Sequence, residues 1–113
     1  MRAKLVVTMA LAGSAAAAGA ARAQQPVDAA QLFARHCASC HGTAGVPNPA
    51  MARSLGAIPD FTNAQTMAAL QDSALISAIT SGKGRNMPAY RGRLTSEQIR
   101  AIVAHVKGLA RRP

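Results

Sequence analysis

A chain of 113 residues is the length of one domain and leaves no room for a second large core. Half of its residues are hydrophobic, but many are alanine and the aromatic set is only Phe33, Phe61 and Tyr90, so side chains alone build a thin interior. Thirteen basic residues against four acidic ones give a formal net charge of +9, yet the scarcity of aromatic stacking groups argues against nucleic acid as the partner.

The first stretch reads as an export signal. Met1-Arg2-Ala3-Lys4 is a short basic segment, Leu5 to Ala21 is an apolar run of small residues, and Ala21-Arg22-Ala23 is an A-x-A cleavage signature before Gln24. Gly13, Ser14 and Gly19 interrupt the run, which makes it a poor membrane anchor. The expectation is a signal peptide over 1–23, removed after Ala23, and a soluble periplasmic domain over 24–113 with no membrane span; retention as an anchor is the alternative. Loss of Arg2, Lys4 and Arg22 lowers the formal charge from +9 to +6.

The first helix starts at Val27-Asp28. Asp28 caps it, Gln31 completes a capping box, Val27 staples onto Leu32, and the helix runs to about Ser39. Phe33 lies one turn before Cys37, where it meets another helix. The helix delivers Cys37-Ala38-Ser39-Cys40-His41, the C-x-x-C-H pattern of c-type haem attachment. On a helical turn two such thiols are close enough to react with the two vinyl groups of one porphyrin, and the next residue offers its imidazole to the iron. Other chemistries fit parts of the motif. A dithiol redox pair wants a strand-helix-strand setting, and no alternating β-branched run precedes Cys37. Structural zinc wants a second pair of ligands, for which only His36, His41 and His105 are at hand. A disulfide between Cys37 and Cys40 would be strained in so short a loop, although export favours oxidised thiols. His36 reads as a solvated helix residue.

From Gly42 to Asn63 the glycines and prolines predict a loop wrapped around a bound group. A carbonyl of Pro47 or Pro49 can accept the second ring proton of His41; alternatively the prolines only stiffen the loop. Thr62 or Asn63 caps a short helix through Met67 to Leu70, and Asp72 or Ser73 caps the next, whose Leu75, Ile76 and Ile79 form a core stripe ending at Gly82. The stretch Gly82-Lys83-Gly84-Arg85-Asn86-Met87-Pro88-Ala89-Tyr90 then places a methionine on a stiff loop, because Pro88 keeps Met87 out of helix. A thioether is a soft, neutral ligand for iron, which makes Met87 the candidate for the second axial position ahead of Met51 and Met67. Thr95 caps the last helix with Gln98 closing the box, and Leu94 staples onto Ile99. Ile99, Ile102, Val103, Val106 and Leu109 recur at helical spacing and face the first helix, Arg100 and Lys107 take the other side, and Arg111-Arg112 suit the negative end. No strand pattern, repeat or second domain is present in the sequence.

Over residues 27 to 109 the chain resembles the small single-haem class I cytochromes c of bacteria. The likeness rests on Cys37-Ala38-Ser39-Cys40-His41-Gly42, Pro59-Asp60-Phe61-Thr62, Ile79-Thr80-Ser81-Gly82, Met87-Pro88-Ala89-Tyr90 and the run from Leu94 through Leu109 in that order. The resemblance implies an all-α fold of about four helices around one covalent haem c, with the first and last helices crossing. It implies Cys37 and Cys40 as thioether attachments and His41 and Met87 as axial ligands; Pro49 and Tyr90 are further candidates for the haem environment. Where the last helix of the family usually offers an aromatic residue to the crossing, this chain has His105, which leaves more of the contact to Phe33.

With both axial positions filled, the implied work is outer-sphere electron transfer and not catalysis. Lys83, Arg85, Arg91 and Arg93 flank Met87 with no acidic residue between positions 83 and 93, which suits a redox protein partner with an acidic docking surface. A free periplasmic carrier is the leading expectation. A haem subunit of a larger oxidoreductase complex is the alternative, and an enzyme or gas sensor with an open distal site is the third.

Overall fold

The computed structural model describes residues 3–14 and 26–110. Within them the regular elements are helices, joined by two isolated β-bridges and no extended strand. Asp28 starts α1 (Ala29–His36) by accepting from the Gln31 N–H at 3.0 Å. The helix stops earlier than its sequence suggests. Cys37 leaves helical torsions (φ −121, ψ −33), and a separate turn, α2 (Ala38–His41), follows. The break has a use: the Cys37 carbonyl accepts from both Cys40 N at 3.2 Å and His41 N at 2.9 Å, which winds the motif tightly about its own first residue.

A further helix replaces part of the predicted loop. Asn48 caps α3 (Pro49–Leu55) by accepting from Ala50 N at 3.0 Å, and Pro49 takes the first helical position, where a missing N–H costs nothing. Proline was read as a breaker here, but after a capping residue it starts a helix. α4 (Ala64–Ala69) is capped by Asn63, which accepts from Thr66 N at 2.9 Å. α5 (Asp72–Ser81) follows without a side-chain cap, since Gln71 occupies that place, and ends at Gly82. α6 (Ser96–Leu109) opens on the complete Thr95–Gln98 capping box.

The core gathers on α6. Its Ile99, Ile102, Val103, Val106 and Leu109 are all buried, and α6 packs on both α1 and α5. At the contact between the first and last helices, Phe33 is 2% exposed and its ring lies 5.3 Å from that of His105. Phe33 also meets Phe61 edge-on at 6.5 Å, so it carries the share of the crossing that His105 leaves to it. Lys107 does not point to solvent as its helical phase suggests. Its ammonium donates to the carbonyls of Met67 (3.3 Å) and Leu70 at the end of α4 and lies 3.4 Å from Asp72 at the start of α5. A cation on the carbonyl end of a helix is favourable, and here it joins three helices.

Residues 3–14 adopt no regular secondary structure and leave Leu5, Val6, Val7, Met9 and Leu11 exposed. The cleavage signature at Ala21-Arg22-Ala23 and the pair Arg111-Arg112 lie outside the described residues. No helix among the described residues is long and apolar enough to cross a membrane.

Candidate haem-binding site

A cavity of about 340 Å³ opens between α1, α2, α5, α6 and the loop after α5. Cys37, Cys40, His41, Met87 and Tyr90 all line it. These five residues, up to 53 positions apart in sequence, therefore meet around one largely apolar space that Phe33, Ile79 and Val103 also line. The wall residues come from rigid elements. The tight turn of α2 sets Cys40 and His41. The loop of Met87 is closed on itself by Lys83 N donating to Met87 O (2.9 Å) and pinned to α5 by Tyr90 N donating to Ile79 O (2.9 Å) and Arg91 N donating to Thr80 O (3.1 Å).

His41 is held on the cavity wall by a ring contact. Its imidazole is stacked on the Phe61 ring at 4.8 Å with 16° between planes. Phe61 in turn is placed by Phe61 N donating to Gly45 O at 2.9 Å and by the Asp60–Thr62 turn that encloses it, in which the Asp60 carboxylate accepts from Thr62 N (2.9 Å) and Thr62 Oγ1 (2.6 Å). Burial pushes the His41 pKa below its ordinary value, so the ring is neutral near pH 7 and offers a lone pair. Its buried Nδ1 has no hydrogen-bond partner. The bond to a Pro47 or Pro49 carbonyl suggested by the sequence is not formed; Pro49 is exposed at the start of α3, where its carbonyl belongs to that helix, and it does not line the cavity.

Cys37 and Cys40 are free thiols. Burial first, and then the neighbouring Cys40, push the Cys37 thiol up to about 11, so it is protonated at neutral pH. Tyr90 is buried, and burial also raises its hydroxyl, which donates to the His36 carbonyl at 2.9 Å. His36 is half-buried on the cavity wall, its ring 5.7 Å from that of Tyr90, rather than free in solvent. Met67 is core and Met51 sits on α3; neither lines the cavity, whereas Met87 does.

The donor set fits a c-type haem: two unpaired thiols three residues apart, a neutral imidazole with an orphaned buried nitrogen, a thioether, and largely apolar walls. A zinc set is not assembled, for no three His, Cys, Asp or Glu side chains cluster as a metal site among the described residues.

Residues 24–106 match the protein family described as cytochrome c oxidase, cbb3-type, subunit III. The chain belongs to this family of c-type cytochromes. It is 35% identical over 80 residues to the cbb3-type cytochrome c oxidase subunit FixP of Bradyrhizobium sp. strain ORS 278, a match that covers 71% of this chain and 26% of that protein. This cytochrome thus spans about a quarter of the length of its FixP relatives. It is also 38% identical over 90 residues to cytochrome c6 of Nostoc sp. strain PCC 7120, covering 80% of this chain and 76% of that one. Among solved structures, the KustC0563 c-type cytochrome superposes with a TM-score of 0.67 at 32% identity, over 74% of this chain and 98% of its own. The expected all-α cytochrome c fold is therefore present, with six helices among the described residues where the sequence suggests about four.

Two contributors were missed in the sequence reading. Phe61 enters the sequence reading as one of three aromatic residues and within Pro59-Asp60-Phe61-Thr62, neither of which announces that its ring stacks on His41. Asn86 donates to the Leu55 carbonyl at 3.1 Å, a partner 31 residues away that no local pattern announces.

Proposed function

We propose that the chain is an exported one-electron carrier in which Cys37 and Cys40 hold one haem c through thioether bonds while His41 and Met87 supply its axial ligands. The observation that carries this reading is the meeting of those four side chains on the wall of one cavity. When bound, haem c supplies a one-electron iron couple. Cys37 and Cys40, both free thiols on the cavity wall, would hold the group covalently as thioethers. His41 enters the site neutral, with Phe61 holding the plane of its ring. Met87 would offer a neutral, soft sulfur suited to the reduced metal, leaving no ligand position open to a substrate. The rigid loop and the stacked imidazole keep these ligands in place between oxidation states, which suits transfer without rearrangement.

Removal of residues 1–23 and a periplasmic location belong to the same reading, and the start of the family match at residue 24 supports that boundary. The exposed cations Lys83, Arg85, Arg91 and Arg93 beside Met87 suit a partner with an acidic docking face. A second reading, a haem subunit of an oxidase complex, is favoured by the family's description and by the FixP likeness. The carrier reading is supported by the reach of the other likenesses, 76% of cytochrome c6 and 98% of KustC0563 against 26% of FixP.

The test is an absorption spectrum of the exported protein with a denatured haemochrome assay. Covalent haem is the expected result, and its absence overturns the reading. Met87→Ala is expected to lose the ferric iron–thioether band, while Met51→Ala and Met67→Ala retain it. A monomer that stays free of large partners at high salt supports the carrier; tight copurification with an oxidoreductase supports the subunit.

A further inference from the structure

The loop that bears Met87 is joined by its backbone only to α5, the helix it grows from, and to itself. Two side-chain bonds take it further. Asn86, directly before Met87, donates to the carbonyl of Leu55, the last residue of α3. Tyr90, three residues after Met87, donates to the carbonyl of His36, the last residue of α1 and the neighbour of Cys37. These acceptors are 31 and 54 residues away along the chain. Both are terminal helix carbonyls, which have no partner within their own helix and so are open to a donor from elsewhere. Both bonds lie at the wall of the cavity, since Leu55, His36, Asn86 and Tyr90 all line it.

We propose that Asn86 and Tyr90 are paired positioning residues, two latches on either side of Met87 that hold the ligand loop closed over the site and set how readily Met87 can be displaced. This rests on the reading of Met87 as an axial ligand. The hydrogen bonds of both side chains go to backbone carbonyls and not to the sulfur, so each acts by fastening the backbone that carries Met87 to a different helix. Tyr90 is the stiffer latch, because its ring is buried and lies beneath the Arg93 guanidinium at 4.7 Å. Asn86 is exposed, and its bond faces competition from water. Opening the loop at Asn86 would leave it hinged at Tyr90 and at Gly82.

The two variants that remove only the latches are Tyr90→Phe and Asn86→Ala. Cyanide binding to the ferric protein requires Met87 to leave the iron, so its apparent affinity reads the equilibrium between closed and open loop. Each variant is expected to retain the iron–thioether band and to bind cyanide about five-fold more tightly, the weight of one neutral hydrogen bond. The double variant is expected near the product, about twenty-five-fold, because the two bonds share no partner. Lys107→Met provides the contrast. It removes a clamp that joins α6 to α4 and to Asp72 at the start of α5, the opposite end of that helix from the loop, and is expected to lower the thermal midpoint with cyanide affinity unchanged. If both latch variants bind cyanide within two-fold of wild type, or if Lys107→Met changes affinity as much as they do, the latch proposal is overturned and the loop simply follows global stability. If instead Met87→Ala keeps the iron–thioether band, the ligand reading fails and the proposal falls with it. Should Tyr90→Phe fail to assemble, Asn86→Ala decides alone, since its exposed side chain leaves the core intact.

Discussion

Replacing Gly82 by alanine tests whether the ligand loop depends on a close backbone approach. Gly82 has φ +74, and a Cβ there would lie 2.6 Å from the Met87 carbonyl oxygen, 2.9 Å from Ala89 N and 3.0 Å from Pro88 C. All three are backbone atoms of the loop, so no side chain can swing aside. The left-handed torsion alone costs a non-glycine residue about 1–2 kcal/mol. Forcing a methyl into that packed contact adds about 1–3 kcal/mol, for a total of roughly 2–5 kcal/mol. Gly84, two residues on, separates these effects: its φ is +60, but a Cβ would meet nothing within 4 Å. Gly84→Ala is therefore expected to lose only the torsional part, about 1–2 kcal/mol. The assay is denaturant unfolding of the oxidised haem protein, followed both in the far ultraviolet and at the iron–thioether band. Gly82→Ala should lose that band at lower denaturant than the helical signal, because the Met87 carbonyl also accepts from Lys83 N at 2.9 Å and the displaced atom is the one that pins the loop. Equal losses for the two alanine variants, with the band intact in both, would refute this account.

Three further outcomes follow from the geometry. Phe33→Ala empties the crossing of α1 on α6, where the ring is 2% exposed between His105 and Phe61, and should cost about 3–5 kcal/mol in denaturant unfolding; a loss below about 1 kcal/mol would mean that the crossing does not rest on it. Asp60 is held below its ordinary pKa by the Thr62 hydroxyl and N–H, so its contribution to stability is full above 3.8 and disappears as pH falls through the lower folded value. The stability advantage of wild type over Asp60→Asn should thus be constant near neutrality and shrink in acid; an advantage independent of pH would count against the turn. Reversing Lys83 and Arg85 to glutamate should slow reduction by an acidic redox partner at low salt, with the difference from wild type fading as ionic strength rises.

Local chemistry was legible where neighbours in sequence decide it. The caps at Asp28, Asn63 and Thr95, the stop at Gly82 and the buried face of α6 all depend on residues within one or two turns, and the structure has each in its place. Asn48-Pro49 was misread because proline after a loop of glycines resembles a breaker, although the preceding asparagine makes it a helix start. The end of α1 was misplaced because helical periodicity does not register a single residue leaving helical torsions, as Cys37 does. Lys107 was misassigned because its phase on the helix says nothing about the orphan carbonyls of Met67 and Leu70, forty and thirty-seven residues earlier.

By itself the sequence determined the chemistry carried by the chain: two thiols and an imidazole at attachment spacing, a methionine that proline keeps out of helix, and an apolar face on the last helix. Those properties are covalent or local, and no folding is needed to read them. Tertiary structure decided which groups share one cavity, that Phe61 stacks on His41, that Pro49 stands apart, and that Asn86 and Tyr90 fasten the Met87 loop to α3 and α1. Each of these is a contact between segments far apart in sequence. Such contacts depend on how helices pack, and packing is decided by the whole set of buried side chains at once.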